Sequence, residues 1–273
     1  MFAETAFHTL VCDTPAPGVA RITLNRPKSL NAYTFRMCRE LAAAIALYAD
    51  DDELRALILT GAGERAFCTG GDLSGDDPEH SQRVATQPMG HGREMRDGMQ
   101  AVVLALRRLD KPSVAMIRGY AVAGGLALAL ACDFRFAGQG AQLGDTSHKA
   151  GLLPDEGGAW LFPRAMGLDK ALRMSLLHEI YDAERAERLG LVTEVFPDAE
   201  LEAQTLLFCQ ALAVKAPLAV RLTKMMMAKG LETGLEASLI DAQMAVMITN
   251  PSQDVREGVA AFREKRPPRF TGR

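Results

Sequence analysis

Short apolar runs alternate with amphipathic stretches through the first half of the chain, and the second half is almost wholly helical in pattern. Residues 7–12 and 19–24 read as strands around the Pro15-Ala16-Pro17-Gly18 turn. Thr34 precedes a run in which Met37, Leu41, Ile45 and Tyr48 recur at helical spacing, so a helix capped by Thr34 is expected. Residues 54–60 predict a buried strand. The stretch 74–92, rich in Gly, Pro, Asp and His and without periodicity, predicts a mobile surface loop. The pattern resumes with a helix over about 93–109, a strand over 113–117, short strands over 134–137 and 141–143, and the turn Asp145-Thr146-Ser147-His148. From Glu156 onward only 191–195 looks strand-like.

Strand-strand-helix units feeding a helical end predict an α/β fold: a core over residues 1–200 and a C-terminal helical module over 201–273, with no low-complexity linker between them. The longest apolar stretch, 120–132, contains two glycines and falls short of the ~20 residues a membrane-spanning helix needs. Residues 1–14 offer neither a basic segment nor a continuous apolar run, so no signal peptide is expected.

Two glycine-bearing loops carry the candidate chemistry. Ala66-Phe67-Cys68-Thr69-Gly70-Gly71-Asp72-Leu73 and Gly119-Tyr120-Ala121-Val122-Ala123-Gly124-Gly125 each follow a predicted strand, and the second opens an apolar helix. Glycine lets backbone N–H groups approach a ligand closely. Two such groups aimed at one point make an oxyanion hole, and a helix N-terminus adds its positive dipole end.

Composition narrows the classes. The 273 residues are 48% apolar and 24% charged, which suits one large globular domain, and a net charge of −3 gives no global attraction to nucleic acid. Cys12, Cys38, Cys68, Cys132 and Cys209 are scattered without a C-x-x-C pair, as expected of reduced thiols in a cytoplasmic compartment. Cys68 lies inside the first loop, where packing explains it more simply than nucleophilicity. The Met225-Met226-Met227 run suggests helix packing, at a subunit interface or along an acyl tunnel. His80 and His91 lack ligand spacing, so no metal is expected.

The ordered set of Leu24-Asn25-Arg26-Pro27-Lys28-Ser29-Leu30-Asn31-Ala32, the two glycine loops, Lys111-Pro112 through Cys132-Asp133, Gly151 through Gly158, and the ending from Arg256 to Arg273 resembles the crotonase superfamily, the enoyl-CoA hydratase and isomerase family. The resemblance implies a spiral of ββα units, a trimer often stacked as a hexamer, and acyl-CoA thioester substrates with no cofactor beyond their coenzyme A. It also implies an oxyanion hole from the N–H groups of Gly71 and Gly124. Coenzyme contacts are implied at Lys28, Leu30 and Thr69, and at Phe262 and Lys265 on the last helix, which in the family reaches the CoA of a neighbouring subunit.

The chain departs from the family's hydratases at their two glutamates, which correspond here to Ala127 and Ser147. Hydration needs a base for water and an acid for carbon, and neither residue supplies them. Asp155 matches an aspartate of dienoyl-CoA isomerases, of ring-processing aryl-CoA enzymes and of the epoxyphenylacetyl-CoA isomerase subgroup, which the chain resembles most closely. Asp155 is therefore the expected base of an isomerase, with Glu156 as the alternative. Either a helix-capping role for Asp155 or catalysis fits the local pattern. Ser147-His148 lacks an orienting third member and is not expected to act as a nucleophile pair. The alternatives in function are a hydratase using Asp155 or Glu156, and a non-catalytic acyl-CoA-binding scaffold.

Overall fold

The computed structural model describes residues 2–75, 82, 84–86 and 88–273. Strands β1 (Leu10–Ala16), β2 (Val19–Leu24), β3 (Ala56–Gly61), β5 (Ser113–Ile117), β7 (Phe134–Gly138) and β10 (Glu194–Phe196) form one sheet in that order. A second sheet orders β4 (Ala66–Cys68), β6 (Tyr120–Val122), β8 (Gln142–Gly144) and β9 (Ile180–Asp182). β3 runs into β4, β5 into β6 and β7 into β8, so each sequential pair is divided between the sheets and a helix then returns the chain. That repetition is the expected ββα spiral.

The helices are α1 (Phe35–Asp50), α2 (Gly90–Asp97), α3 (Met99–Arg108), α4 (Gly124–Ala131), α5 (Gly158–Met166), α6 (Leu168–Leu177), α7 (Ala183–Arg188), α8 (Leu201–Ala213), α9 (Pro217–Gly230), α10 (Leu235–Thr249) and α11 (Gln253–Glu264). α1 starts where expected, because the Thr34 hydroxyl accepts the Met37 N–H at 3.2 Å. It ends on a buried cation: Lys111 Nζ donates to the carbonyls of Tyr48 at 2.8 Å and Asp51 at 2.7 Å, satisfying the last turn.

Strands β3 and β5 are buried on both faces, which is why their sequences are nearly continuous apolar runs. Leu57, Leu59, Ala115 and Ile117 face the main core, shared with α1, α3 and α4. Ala56, Ile58, Val114 and Met116 face the other way, onto Leu201, Cys209 and Ala213 of α8. The first helix of the expected C-terminal module thus covers the outer face of the large sheet. At the far end of the chain, buried Asp254 accepts the N–H groups of Thr271 at 2.7 Å and Gly272 at 2.9 Å, tying the tail to the start of α11.

Three expectations needed correction. The polar stretch 74–92 is not all loop, since α2 begins at Gly90; residues 76–81, 83 and 87 lie outside the described residues, and His80 with them. The single helix over 93–109 is broken at Gly98, whose ψ of −115° is not helical, and a Cβ there would lie 2.7 Å from the Glu94 carbonyl oxygen. The stretch after Glu156 is not helical throughout up to 191–195, because β9 (Ile180–Asp182) interrupts it and completes the second sheet. No single described helix is long and apolar enough to cross a membrane.

The sheets and α4 meet most closely at Gly125, where an added methyl would land on the Cys68 carbonyl. Backbone cannot retreat there as a flexible side chain would. Gly125→Ala is expected to destabilise the fold by about 3 kcal/mol, read as a lower urea midpoint. Gly92→Ala, with open space around the added methyl, is the control and should be neutral or slightly stabilising.

Candidate active site

β4 and β6 are parallel neighbours, with Ala66 opposite Tyr120 and Cys68 opposite Ala121. Their C-terminal ends therefore open side by side, and the two glycine loops meet. A Cβ on Gly70, which has φ +91°, would come within 3.1 Å of Ala123 Cβ and 3.4 Å of Gly124 N. Ala123 itself holds φ 51° and ψ −128°, a conformation unfavourable for an L-residue, pinned by its N–H on the Gly144 carbonyl at 3.0 Å. Gly124 then opens α4. Among the described residues neither the Gly71 nor the Gly124 N–H finds a backbone acceptor.

The first loop is clamped by the segment after β2. Arg26 pairs with Asp72 at 2.7 Å, and buried Asn31 donates to the carbonyls of Ala62 at 3.0 Å and Ala66 at 2.8 Å. Tyr33 completes the clamp: its N–H donates to Gly70 O and its carbonyl accepts from Asp72 N–H, both at 2.9 Å. Its ring lies 3.6 Å from where a Gly71 Cβ would be. The Tyr33 hydroxyl then reaches across to Glu156, donating to Oε1 at 2.5 Å.

Glu156 is 6% exposed. Gly157, at φ +130°, turns the chain into α5 and leaves Glu156 pressed on Gly124. A side chain on Gly124 would collide with Glu156 Oε1 and lie 2.7 Å from the Tyr33 hydroxyl. Burial pushes the Glu156 carboxyl up to about 6; the Tyr33 hydrogen bond pulls it down, and the charges of Asp155 and Asp145 push it up further. Tyr33 is raised well above the ordinary phenol range, first by its own burial and then by Glu156, so its hydroxyl stays a proton donor. Glu156 Oε2 is buried and has no hydrogen-bond partner among the described residues.

The two positions that correspond to hydratase glutamates carry no acid. Ala127 is fully buried in α4. Ser147 donates its hydroxyl at 2.7 Å and its N–H at 3.0 Å to Asp145 Oδ1, rather than engaging His148. Asp145 is fully buried, and its Oδ2 has no hydrogen-bond partner among the described residues.

Asp155 and Glu156 both line a cavity of about 550 Å³ between α3, α5 and α9. Asp155 is the more exposed of the two, its carboxyl raised by partial burial, and its carbonyl accepts from Gln100 Nε2 at 2.8 Å. It does not cap α5, whose N-cap is Gly157 without a side-chain bond. Leu30 and Thr69 are brought together, with Thr69 Oγ1 donating to Leu30 O at 3.3 Å and Lys28 exposed beside them. Phe262, 86% exposed, and Lys265, at the C-cap of α11, stand on the terminal helix instead. The Cys68 thiol is held at about 12 by burial, which leaves it inert at neutral pH.

Sequence reading missed Tyr33 and Asp145. Tyr33 stands directly after Asn31-Ala32 and before the Thr34 cap, where an aromatic residue reads as core; Asp145 reads as a turn residue.

A ββα spiral whose neighbouring glycine turns meet beside a buried carboxyl defines a crotonase-type fold with donors and an acid at one point. The enoyl-CoA hydratase/isomerase family profile matches residues 15–273. The (E)-benzylidenesuccinyl-CoA hydratase of Thauera aromatica is 35% identical over 93% of this chain and 96% of its own length. Among solved structures, an enoyl-CoA hydratase from Bacillus anthracis superposes with a TM-score of 0.90 at 31% identity, covering 97% of this chain and 100% of that one. DspI from Pseudomonas aeruginosa gives 0.88 at 33%, covering 98% and 99%. The chain belongs to the enoyl-CoA hydratase/isomerase family of the crotonase superfamily.

Activity that depends on ionised Glu156 should rise with pH along an acid limb near 6. Tyr33→Phe removes a donor that favours the ionised form, so the limb should move upward by roughly one pH unit. A pH–rate profile of both proteins checks the sign; a limb that stays in place or moves down removes Tyr33 from control of the carboxyl.

Proposed function

We propose that the chain isomerises an acyl-CoA thioester by proton transfer, with Glu156 as the base and the N–H groups of Gly71 and Gly124 as the oxyanion donors. The observation that carries this reading is the placement of Glu156: a buried carboxyl raised to about 6, hydrogen-bonded by Tyr33 and pressed against Gly124. Glu156 takes a proton from a carbon in conjugation with the thioester, and the electron pair moves through the carbon framework onto the carbonyl oxygen. The two N–H groups stabilise that oxygen, and the protonated carboxyl returns its proton to a different carbon, shifting a double bond or opening a strained ring.

Tyr33 holds Oε1, which leaves Oε2 to carry the proton. Asp155, first choice from sequence, adjoins this centre and contributes its charge, while the more deeply buried neighbour handles the proton. Coenzyme A is part of the substrate, and no other cofactor is required; Lys28, Leu30 and Thr69 hold its nucleotide end. Large apolar side chains exposed on α9 to α11, among them Leu231, Leu235, Met244 and Met247, support self-association of this family's trimeric kind.

A hydratase is the second reading, and Asp145 favours it: a fully buried carboxylate with a partnerless Oδ2 is a second group able to hold a water. The relative from Thauera aromatica also bears a hydratase name. A binding scaffold without chemistry is the third.

Incubating enoyl-, dienoyl- and ring-epoxide CoA thioesters with the protein in heavy water, followed by mass spectrometry, separates the three. Deuterium in a rearranged product without added water is the expected result. A gain of the mass of water establishes the hydratase, and binding without any change establishes the scaffold. Glu156→Gln should lower turnover by roughly 10²–10⁴-fold with acyl-CoA binding retained, and Asp155→Asn should cost far less. The reverse ranking would return the base to Asp155.

A further inference from the structure

The cavity that contains Glu156 is also lined by a cation, Arg107. On α3, Gln100, Val103 and Arg107 follow one another at helical spacing and form one stripe of its wall. The stripe starts at the reaction end, where Gln100 holds the Asp155 carbonyl, and Arg107 lies seven residues further, about 10 Å along the helix axis. Between them the wall is aliphatic, made by Val103, Leu104 and Leu161.

Arg107 is half-buried and forms no ion pair among the described residues. Its guanidinium sits 5.5 Å from the centre of the Trp160 ring, and Arg164 covers the same ring at 3.8 Å. A guanidinium held over an aromatic ring keeps its in-plane N–H groups free, and that fork matches a carboxylate. The other cation lining the cavity, Lys229, is engaged by Asp241 at 2.8 Å. Three acids also line the space: Asp155 and Glu156 belong to the reaction end, and Glu232, beyond Lys229, makes no ion pair with Arg107.

We infer that the acyl group processed here ends in a carboxylate, which Arg107 receives at the end of the cavity away from Glu156. The inference rests on the reading that this cavity holds the acyl part of a CoA thioester. An apolar acyl end would leave the guanidinium half-desolvated and unpaired, whereas a carboxylate restores both its hydrogen bonds and its counter-charge. The substrate class is then a mono-thioester of a medium-chain dicarboxylic acid whose free carboxylate lies several carbons beyond the reacting ones.

Calorimetric titration with two saturated thioesters of equal chain length, octanoyl-CoA and suberoyl-CoA, isolates this contact because neither can react. The carboxylate-ended ligand should bind at least roughly tenfold more tightly to the wild type. Arg107→Met should erase that preference while leaving octanoyl-CoA binding unchanged, and Arg107→Lys should retain part of it. Equal binding of the two ligands by the wild type, or a preference that survives Arg107→Met, overturns the inference. The wild-type comparison decides even if a variant fails to fold. A carboxylate preference without turnover of any unsaturated thioester would sink the proton-transfer reading and leave this one standing; turnover with equal binding does the opposite.

Discussion

Tyr33 joins three segments that are remote in sequence, and the arrangement of the site depends on it. Its backbone is bonded on both sides to the first glycine loop, through Gly70 and Asp72, so the ring is fixed beside Gly71. Its hydroxyl is fixed to Glu156, which in turn rests on Gly124 at the start of α4. The parallel pairing of β4 and β6 brings the glycine turns together, but pairing alone does not place an acid. The phenol holds the acid that the turn at Gly157 brings in, and a neutral donor is what a buried carboxylate needs in order to ionise without a counter-cation.

The same bond sets the electrostatics. A carboxyl this deeply buried is disfavoured in its charged form, and a lysine or arginine in contact would have drawn its pKa well below neutrality. Tyr33 compensates only in part, so Glu156 remains near 6, close to where a residue that both takes and returns a proton works best. Because the folded carboxyl holds its proton more tightly than an unfolded glutamate, Glu156 destabilises the fold progressively as pH rises from 4.5 toward 6, and the full penalty persists above that range. A site poised this way trades stability for reactivity, as strained or desolvated functional groups commonly do.

Much of this was readable from the residues. Gly70-Gly71 and Gly124-Gly125 each follow an apolar run and precede either a loop or an apolar helix, a pattern that demands close backbone approach whatever the fold. The Thr34 cap, the strand over 113–117 and the α/β class follow from spacing alone. Other features depend on contacts that spacing does not encode. Which of Asp155 and Glu156 turns inward is decided by Gly157 at φ +130° and by the packing of Val103 3.3 Å from its Cα substituent position, neither of which a local pattern reveals. Gly98 interrupts an otherwise continuous amphipathic run through its ψ of −115°, where a Cβ would meet the Glu94 carbonyl one turn earlier. Strands β4 and β6, with three residues each, are too short to show a period.

The buried acid of this site stands on a different segment from Ala127 and Ser147. In the first turn of α4 the chain offers only the methyl of Ala127, inside a helix whose residues are all buried, and after β8 the Ser147 hydroxyl is committed to Asp145. The buried carboxyl of Glu156 arrives instead from the turn before α5, the same turn that leads to Trp160 one helical step later. Glu156 and the Trp160 ring beside Arg107 are therefore carried on one short segment, so their separation is fixed by helix geometry rather than by loop position. Asp145 adds a constraint of its own. Its charge adds to that of Asp155 in raising the Glu156 carboxyl, so a proton on Glu156 relieves repulsion among neighbouring acids.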